Sequence, residues 1–577
     1  MRKLVGAGVA ALVLMSGATT AFARSGASTT PLQVAAASGA AHSTSAHHER
    51  PLESRYWTTR GTGMRTVRDA GTRELLKQAV HRHRTVVDGK ATFVFEFSFS
   101  GLLRVPDIDG DRHPDLVTLE IQGTQDGLAS KITARRGVNG KQIWTKTFDT
   151  FTFPIPGKVG PKAVTGFYLA SFDFTSDGFI GAAGVAKTTV AAVDAHLTQL
   201  WTKDYYGSDT YTDVADVYAA YPQVESIARM NSDAADDLVI DYATDSYSLV
   251  NETHSAEVEV VSGADASTIS RIGPLAVESD YAYPVAVDDV TGDNLADVFT
   301  LEADLSSDQG YGKIAVYKGT DGSQVWSKAG DYYYAFPYQV PDLTGDHRPD
   351  MLFYPDTGGV RLINGATGAT VWTRVNDGEI YYAGDINRDG KPDLLTAGYF
   401  PHGAGARMTV SAITGANKLL WSRNFDQNHS GASLGVFDAG DFQGDGVAEF
   451  MVTNDWRQKD TSGTHHELIN GRTGKAIHAN LDKTIYPAYG AIDGRGDDLL
   501  QVSSPKDVPT VVARRGENLQ PLWTWRGKKG YDSPDAWVVE LTGDTHADAL
   551  LISGFEGKSA LSLTLLDGRN GKPVWKT

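Results

Sequence analysis

The chain has 577 residues, no cysteine and a formal net charge of −18. The missing cysteine excludes disulfides, thiolate metal sites, a lipoprotein anchor and a cysteine nucleophile, and the acidic balance disfavours nucleic acid and anionic membranes as partners. Length alone would suggest about three or four domains, but a repeat array can run this long as one closed unit.

Met1, Arg2 and Lys3 precede an apolar run from Leu4 to Met15 and an Ala21-Phe22-Ala23 cleavage pattern. That layout is a signal peptide over 1–23 and predicts a secreted, extracellular protein. No later stretch approaches the roughly 20 apolar residues of a membrane helix, so no membrane insertion is expected. Residues 24–60, rich in Ala, Ser, Thr and His, show no apolar periodicity and are expected to form a disordered linker. Within 61–91, Leu75, Leu76 and Val80 among charged residues predict a short amphipathic helix over 68–84.

From 92 to 577 a unit of roughly 45 to 65 residues recurs, the length of a four-stranded propeller blade. Its first signature is an aspartate loop. Clear copies carry Asp107, Asp109, Asp111 and Asp115; Asp289, Thr291, Asp293 and Asp297; and Asp342, Thr344, Asp346 and Asp350. Two more carry Asp385, Asn387, Asp389 and Asp393, and Asp441, Gln443, Asp445 and Glu449. Weaker copies surround Asp173 to Asp177, Asn231 to Asp237, Asp493 to Asp498, and Glu540 to Asp548. The second signature is a Gly-rich hairpin followed by Trp, at Trp144, Trp201, Trp326, Trp372, Trp421, Trp523 and Trp575. The units around Ile269 and Ile477 lack that Trp. Flanking segments such as Lys313 to Tyr317 alternate apolar and polar residues with the period of a half-buried strand. Nine units can be counted, and closing them into a ring removes exposed sheet edges. An all-β fold follows, a single large β-propeller of eight or nine four-stranded blades; seven blades with an appended pair, or two smaller arrays, stay open.

Loop positions one, three, five and nine present oxygens at the spacing a hard cation needs, and calcium takes six to eight of them. Glycine at position four or six permits the sharp turn, and position seven can add a carbonyl. An EF-hand would require a glutamate at position twelve and flanking helices, and neither is present. Turn preference alone accounts for any one Asp-Gly loop but not for five copies of one spacing.

These loops resemble the D-x-D/N-x-D-G-x-x-D segment of FG-GAP/VCBS repeats and of the integrin-alpha propeller. The resemblance implies Ca2+ at the twenty residues of the five clear copies. It also implies a non-enzymatic binding or adhesion module, expected to be a monomer, with a protein or glycan ligand on the loop face. Thr291, Thr344 and Gln443 depart from the pattern at position three, so their loops should bind more weakly than Asp107 to Asp115. The alternative function is a calcium-dependent carbohydrate-active enzyme such as a polysaccharide lyase.

Other motifs have plainer readings. Gly431 to Gly435 spells G-x-S-x-G around Ser433, but a nucleophile elbow needs a helix after it and a blade strand is predicted there. Arg495-Gly496-Asp497 is an adhesion tripeptide lying inside a degenerate loop. The His pairs at 47 and 48, 81 and 83, and 465 and 466 lack companion ligands. The Trp hairpins resemble quinone-enzyme propeller repeats as well, yet packing between blades explains them. Tyr332 to Tyr334 and Tyr381 to Tyr382 read as sheet aromatics before they read as a sugar-stacking surface.

Overall fold

Alternating apolar residues punctuated by Gly and Asp produce strands and almost nothing else. The computed structural model describes residues 74–577 except 88–89, 125–126, 174–186, 207–222, 248–251, 278–280, 304–311, 331–337, 354–359, 375–378, 403–404, 428–433, 459–460, 483–484, 489, 530–533 and 554–561. The signal-peptide and linker expectations for 1–60 lie outside these residues. Among the described residues, 37 strands form nine antiparallel sheets, each joining strands in chain order, and the only helical element is a 3-10 turn at Pro505–Asp507. The sheets are the nine blades of a β-propeller.

In blade four, Tyr281–Val287, Asp297–Ala303, Gly312–Tyr317 and Gln324–Gly330 pair in succession. The second and third strands of a blade are apolar on both faces because a neighbouring blade covers each face. Asp350–Phe353, for example, is buried at every position. The fourth strand is half-buried, as Gln324–Gly330 shows, with Trp326 as its inward anchor. One core cluster joins Phe299, Leu301 and Val316 of blade four to Met351, Phe353 and Ile363 of blade five. Another joins Leu102 and Leu116 of blade one to Leu541, Leu550 and Trp575 of blade nine, so the ring closes.

The seams have a common device. The Trp indole of one blade donates a hydrogen bond to a turn carbonyl of the next: Trp144 to Ala195, Trp201 to Gly263, Trp326 to Gly365, Trp372 to Gly415, Trp421 to Gly471, and Trp523 to Gly568, at 2.6–2.9 Å. Trp575 closes the circle on Gly137 at 2.7 Å. The two Trp-less units keep the bond with other donors, Ser270 Oγ to Gly319 at 2.8 Å and His478 Nε2 to Gly516 at 3.2 Å. Glycine is required beneath the indole. Gly140 has φ +67°, and a Cβ there would lie 2.6 Å from the Trp575 ring.

Two expectations are corrected. The segment expected to be helical within 61–91 contains a strand, β1 (Glu74–Val87), which pairs with β2 (Lys90–Val105) from Glu74↔Leu103 to Val87↔Lys90. The free edge of β2 offers a ladder of backbone partners, and Asp88-Gly89 between the strands is the composition that favours a two-residue hairpin. Blade one therefore has five strands. In blade two, the link between the first strands, Phe151–Val159 and Val164–Asp173, is only Gly160 to Ala163. Asp173 ends the second strand instead of opening a loop, and 174–177 lie outside the described residues.

Candidate metal centres

The aspartate loops join the first strand of a four-stranded blade to the second, and in five-stranded blade one the second to the third; position nine is the first residue of the strand that follows the loop. This places a carboxylate at a fixed point where it can tie two turns together. One oxygen of the position-nine carboxylate accepts the position-two N–H: Ile108 to Asp115 at 2.9 Å, Val290 to Asp297 at 3.0 Å, Leu343 to Asp350 at 2.8 Å, Ile386 to Asp393 at 3.1 Å, and Phe442 to Glu449 at 2.8 Å. The other oxygen accepts the turn-glycine N–H of the same blade, Gly137 to Asp115 and Gly365 to Asp350, both at 3.2 Å. In blades one and five the loop is thereby fastened to its blade's hairpin, and in blade seven Asn470 Nδ2 makes the tie by donating to Glu449 at 3.3 Å.

Position one is held just as regularly. Its carboxylate accepts the N–H groups of positions five and six: Asp293 and Asn294 on Asp289, Asp346 and His347 on Asp342, Asp389 and Gly390 on Asp385, and Asp445 and Gly446 on Asp441, at 2.7–3.2 Å. Asp107 does the same for Asp111 and Arg112. Position five accepts from position seven, as Asp111 does from His113 and Asp346 from Arg348, each at 2.9 Å. Position three turns inward too. Thr344 Oγ1 lies 3.3 Å from Asp350, Asn387 Nδ2 lies 3.3 Å from Asp393, and Gln443 Oε1 accepts from Asn470 at 2.7 Å.

Blade one is the most concentrated site. Ligand oxygens of Asp107, Asp109 and Asp115 all lie within 4.8 Å of one another, and no other such trio of acidic or His side chains occurs among the described residues. An all-oxygen donor set of this kind fits a hard cation such as calcium. Asp111 is not part of the trio, and Arg136 donates to Asp109 Oδ2.

The weaker copies divide. Asp237 of blade three keeps the position-nine bonds, from Met230 at 2.7 Å and Gly263 at 3.0 Å, but position one is Arg229, which is no ligand. In blade eight the Asp493 N–H donates to the Asp498 carboxylate at 3.0 Å as the position-three N–H does elsewhere, which puts Ala491 at position one of a shortened loop. Asp497 of the adhesion tripeptide is buried and accepts the Asp441 N–H at 2.8 Å, so it is a seam residue. Blade nine retains Glu540, Thr542, Asp544 and Asp548 in loop geometry. The segment after Ser433 is a strand, Leu434–Gly440, not the helix an elbow needs. His466 is buried against the Ile485 carbonyl. Tyr332 to Tyr334 and the His pair at 47 and 48 fall outside the described residues, as do the side chains of Tyr381, Tyr382 and of His81 and His83 on β1.

Sequence reading missed the residue just before the turn glycine in blades one, five, seven and eight. It reaches back into the loop: Arg136 to Asp109, Asn364 to Asp346, Asn470 to Glu449, and Arg515 to Asp493. The signal was a polar residue recurring at that one offset, which is not itself part of the aspartate pattern.

Burial dominates the electrostatics of position nine. It pushes Asp115 and Asp498 up to about 7, Asp297 and Asp393 to about 6, and Glu449 to about 8; neighbouring loop carboxylates add to the rise and backbone N–H bonds oppose it. These folded-state values lie above the ordinary carboxylate value near 4. The folded, metal-free protein therefore binds more protons than the unfolded chain across this window, and its stability is lost as pH rises through about 6 to 8. In chelator, the melting temperature should fall between pH 5.5 and 8, and calcium should flatten that slope. A chelated profile as flat as the calcium profile would contradict the assignment.

No protein-family model and no curated protein matches this chain. Among solved structures it is similar to the exotype rhamnogalacturonan lyase YesX, with 13% identity over 84% of both chains and a TM-score of 0.40. It is also similar to a Bacillus licheniformis rhamnogalacturonan lyase, with 10% identity over 81% of this chain and 87% of that one and a TM-score of 0.39. The V. cholerae biofilm matrix protein Bap1 overlaps at 11% identity, 82% and 79% coverage, and a TM-score of 0.20. None of these overlaps assigns a function. The protein is a nine-bladed β-propeller in whose first blade three carboxylates converge.

Proposed function

We propose that the chain is a secreted, calcium-binding propeller of the FG-GAP/VCBS kind that serves as an extracellular binding module for a protein or polysaccharide ligand. The convergence of Asp107, Asp109 and Asp115 carries the calcium reading. Four further loops with the same position-one and position-nine bonds support it. Calcium's role in this reading is structural. In blades one, five and seven the loop is bonded to its blade's hairpin, so an ion there fixes two turns at once in a protein without cysteine. The Met1 to Ala23 pattern supports export. The loop face, where metal loops and hairpin turns alternate around the ring, is the surface offered to a ligand.

A glycan array combined with a lyase assay on acidic polysaccharides tests the binding role. Calcium-dependent retention without turnover is the expected result. Accumulation of ultraviolet-absorbing unsaturated products would instead make the protein a polysaccharide lyase.

A further inference from the structure

The five clear loops are nearly equivalent in sequence but not in the cations that face them. The loops of blades five and six each send an arginine out to a neighbour. Arg348, at position seven of blade five, reaches Asp289, the position-one carboxylate of blade four, with Nη1 3.3 Å from Oδ2. Its path depends on Gly292, since a Cβ there would lie 1.6 Å from Arg348 Nη2. By contrast, Gly345 and Gly110 at the same loop position face nothing within 4 Å. Arg388, at position four of blade six, stands where those loops have glycine and is held at φ +64°. Its guanidinium bonds the Asp445 carbonyl in blade seven and lies 3.2 Å from the Asp445 carboxylate.

A guanidinium stays charged at any pH the fold survives, so each of these is a permanent counter-ion. Blades four and seven each have three loop carboxylates, one of which is already matched by a neighbour's arginine. Blades five and six also have three, and among the described residues no arginine side chain contacts any of them. Blade one has four, and Arg136 takes one. Accepting the calcium reading above, we propose that Arg348 and Arg388 sort the five loops into two classes. Blades one, five and six take calcium at higher affinity, with blade five below blade one because Thr344 stands where blade one has Asp109. Blades four and seven, neutralised across the seam, take it weakly. The arginines also make neighbouring loops interdependent, because the segment that wraps the ion in blade five is the one that carries Arg348.

Calcium titration of the full-length protein by equilibrium dialysis tests the proposal. The expected isotherm has three tighter sites and two weaker by on the order of tenfold, the separation one partly exposed charge at contact distance supports. R348Q should move one weak site into the tight class, and R388G, which restores the usual glycine, should move the other. R348K, which keeps the charge, should move less than R348Q. In the parent protein D342N should remove a tight site, whereas D289N should leave the tight class at three. Five equivalent sites unaltered by R348Q and R388G would overturn the sorting while leaving calcium in place. No calcium uptake in the parent protein would overturn the calcium reading itself.

Discussion

Replacing Trp575 with alanine is expected to destabilise the protein by about 3–5 kcal/mol, the usual loss for truncating a buried Trp. The side chain is 8% exposed, packs with Leu102 and Leu116 of blade one, and donates to the Gly137 carbonyl at 2.7 Å. Truncation empties that space and leaves the carbonyl unpaired at the seam between blades nine and one. No covalent link backs it up, because the protein has no cysteine. Hydrogen exchange should therefore speed up first in Ser562–Leu566 and Pro573–Lys576, the outer strands of blade nine. His478→Ala is the control. It removes the corresponding donor between blades seven and eight, but a smaller and less buried group, and should cost about 1–2 kcal/mol. Equal losses at the two seams, or protection in blade nine unaffected by W575A, would show that the indole does not govern closure.

Calcium removal should have a comparable effect. Extracellular modules bind calcium with dissociation constants of about 10⁻⁴ to 10⁻³ M, so each occupied loop adds on the order of 1 kcal/mol at millimolar calcium. Three to five loops then contribute about 3–5 kcal/mol, a sizeable part of the roughly 5–15 kcal/mol by which a domain is stable. For an array of this size that is on the order of 3–5 °C in melting temperature. Chelation should produce that drop and calcium should reverse it; magnesium, which demands a smaller octahedral shell, should reverse it poorly. A melting curve indifferent to chelator would remove the structural role.

The blades were legible in the sequence because most are punctuated twice, by an aspartate loop before an apolar strand and by a Gly-rich turn with a Trp just beyond. Both marks are local, so reading them needed no knowledge of the ring. Blade two was misplaced because it dispenses with the loop, leaving Asp173 to suggest one where a strand ends. β1 was misread because Leu75, Leu76 and Val80 also suit a helix, and only the vacant edge of β2 decides between the two. The roles of Ser270 and His478 were hidden because each acts on the next blade's turn. The arginines at the loops were hidden for the same reason. Arg348 and Asp289 are far apart in the chain and meet only when blades four and five stack. Position nine was legible as a ligand but not as a tie to the turn glycine. Blade three shows the tie most cleanly, since Asp237 keeps it in a loop whose first position is Arg229.

The most direct measurement is anomalous diffraction from crystals grown with calcium. The account predicts a peak about 2.3–2.6 Å from oxygens of Asp107, Asp109 and Asp115, with Arg136 beside it on the far oxygen of Asp109. A well-ordered blade-one loop with Arg136 seated among the three carboxylates, and no peak between them, would contradict it.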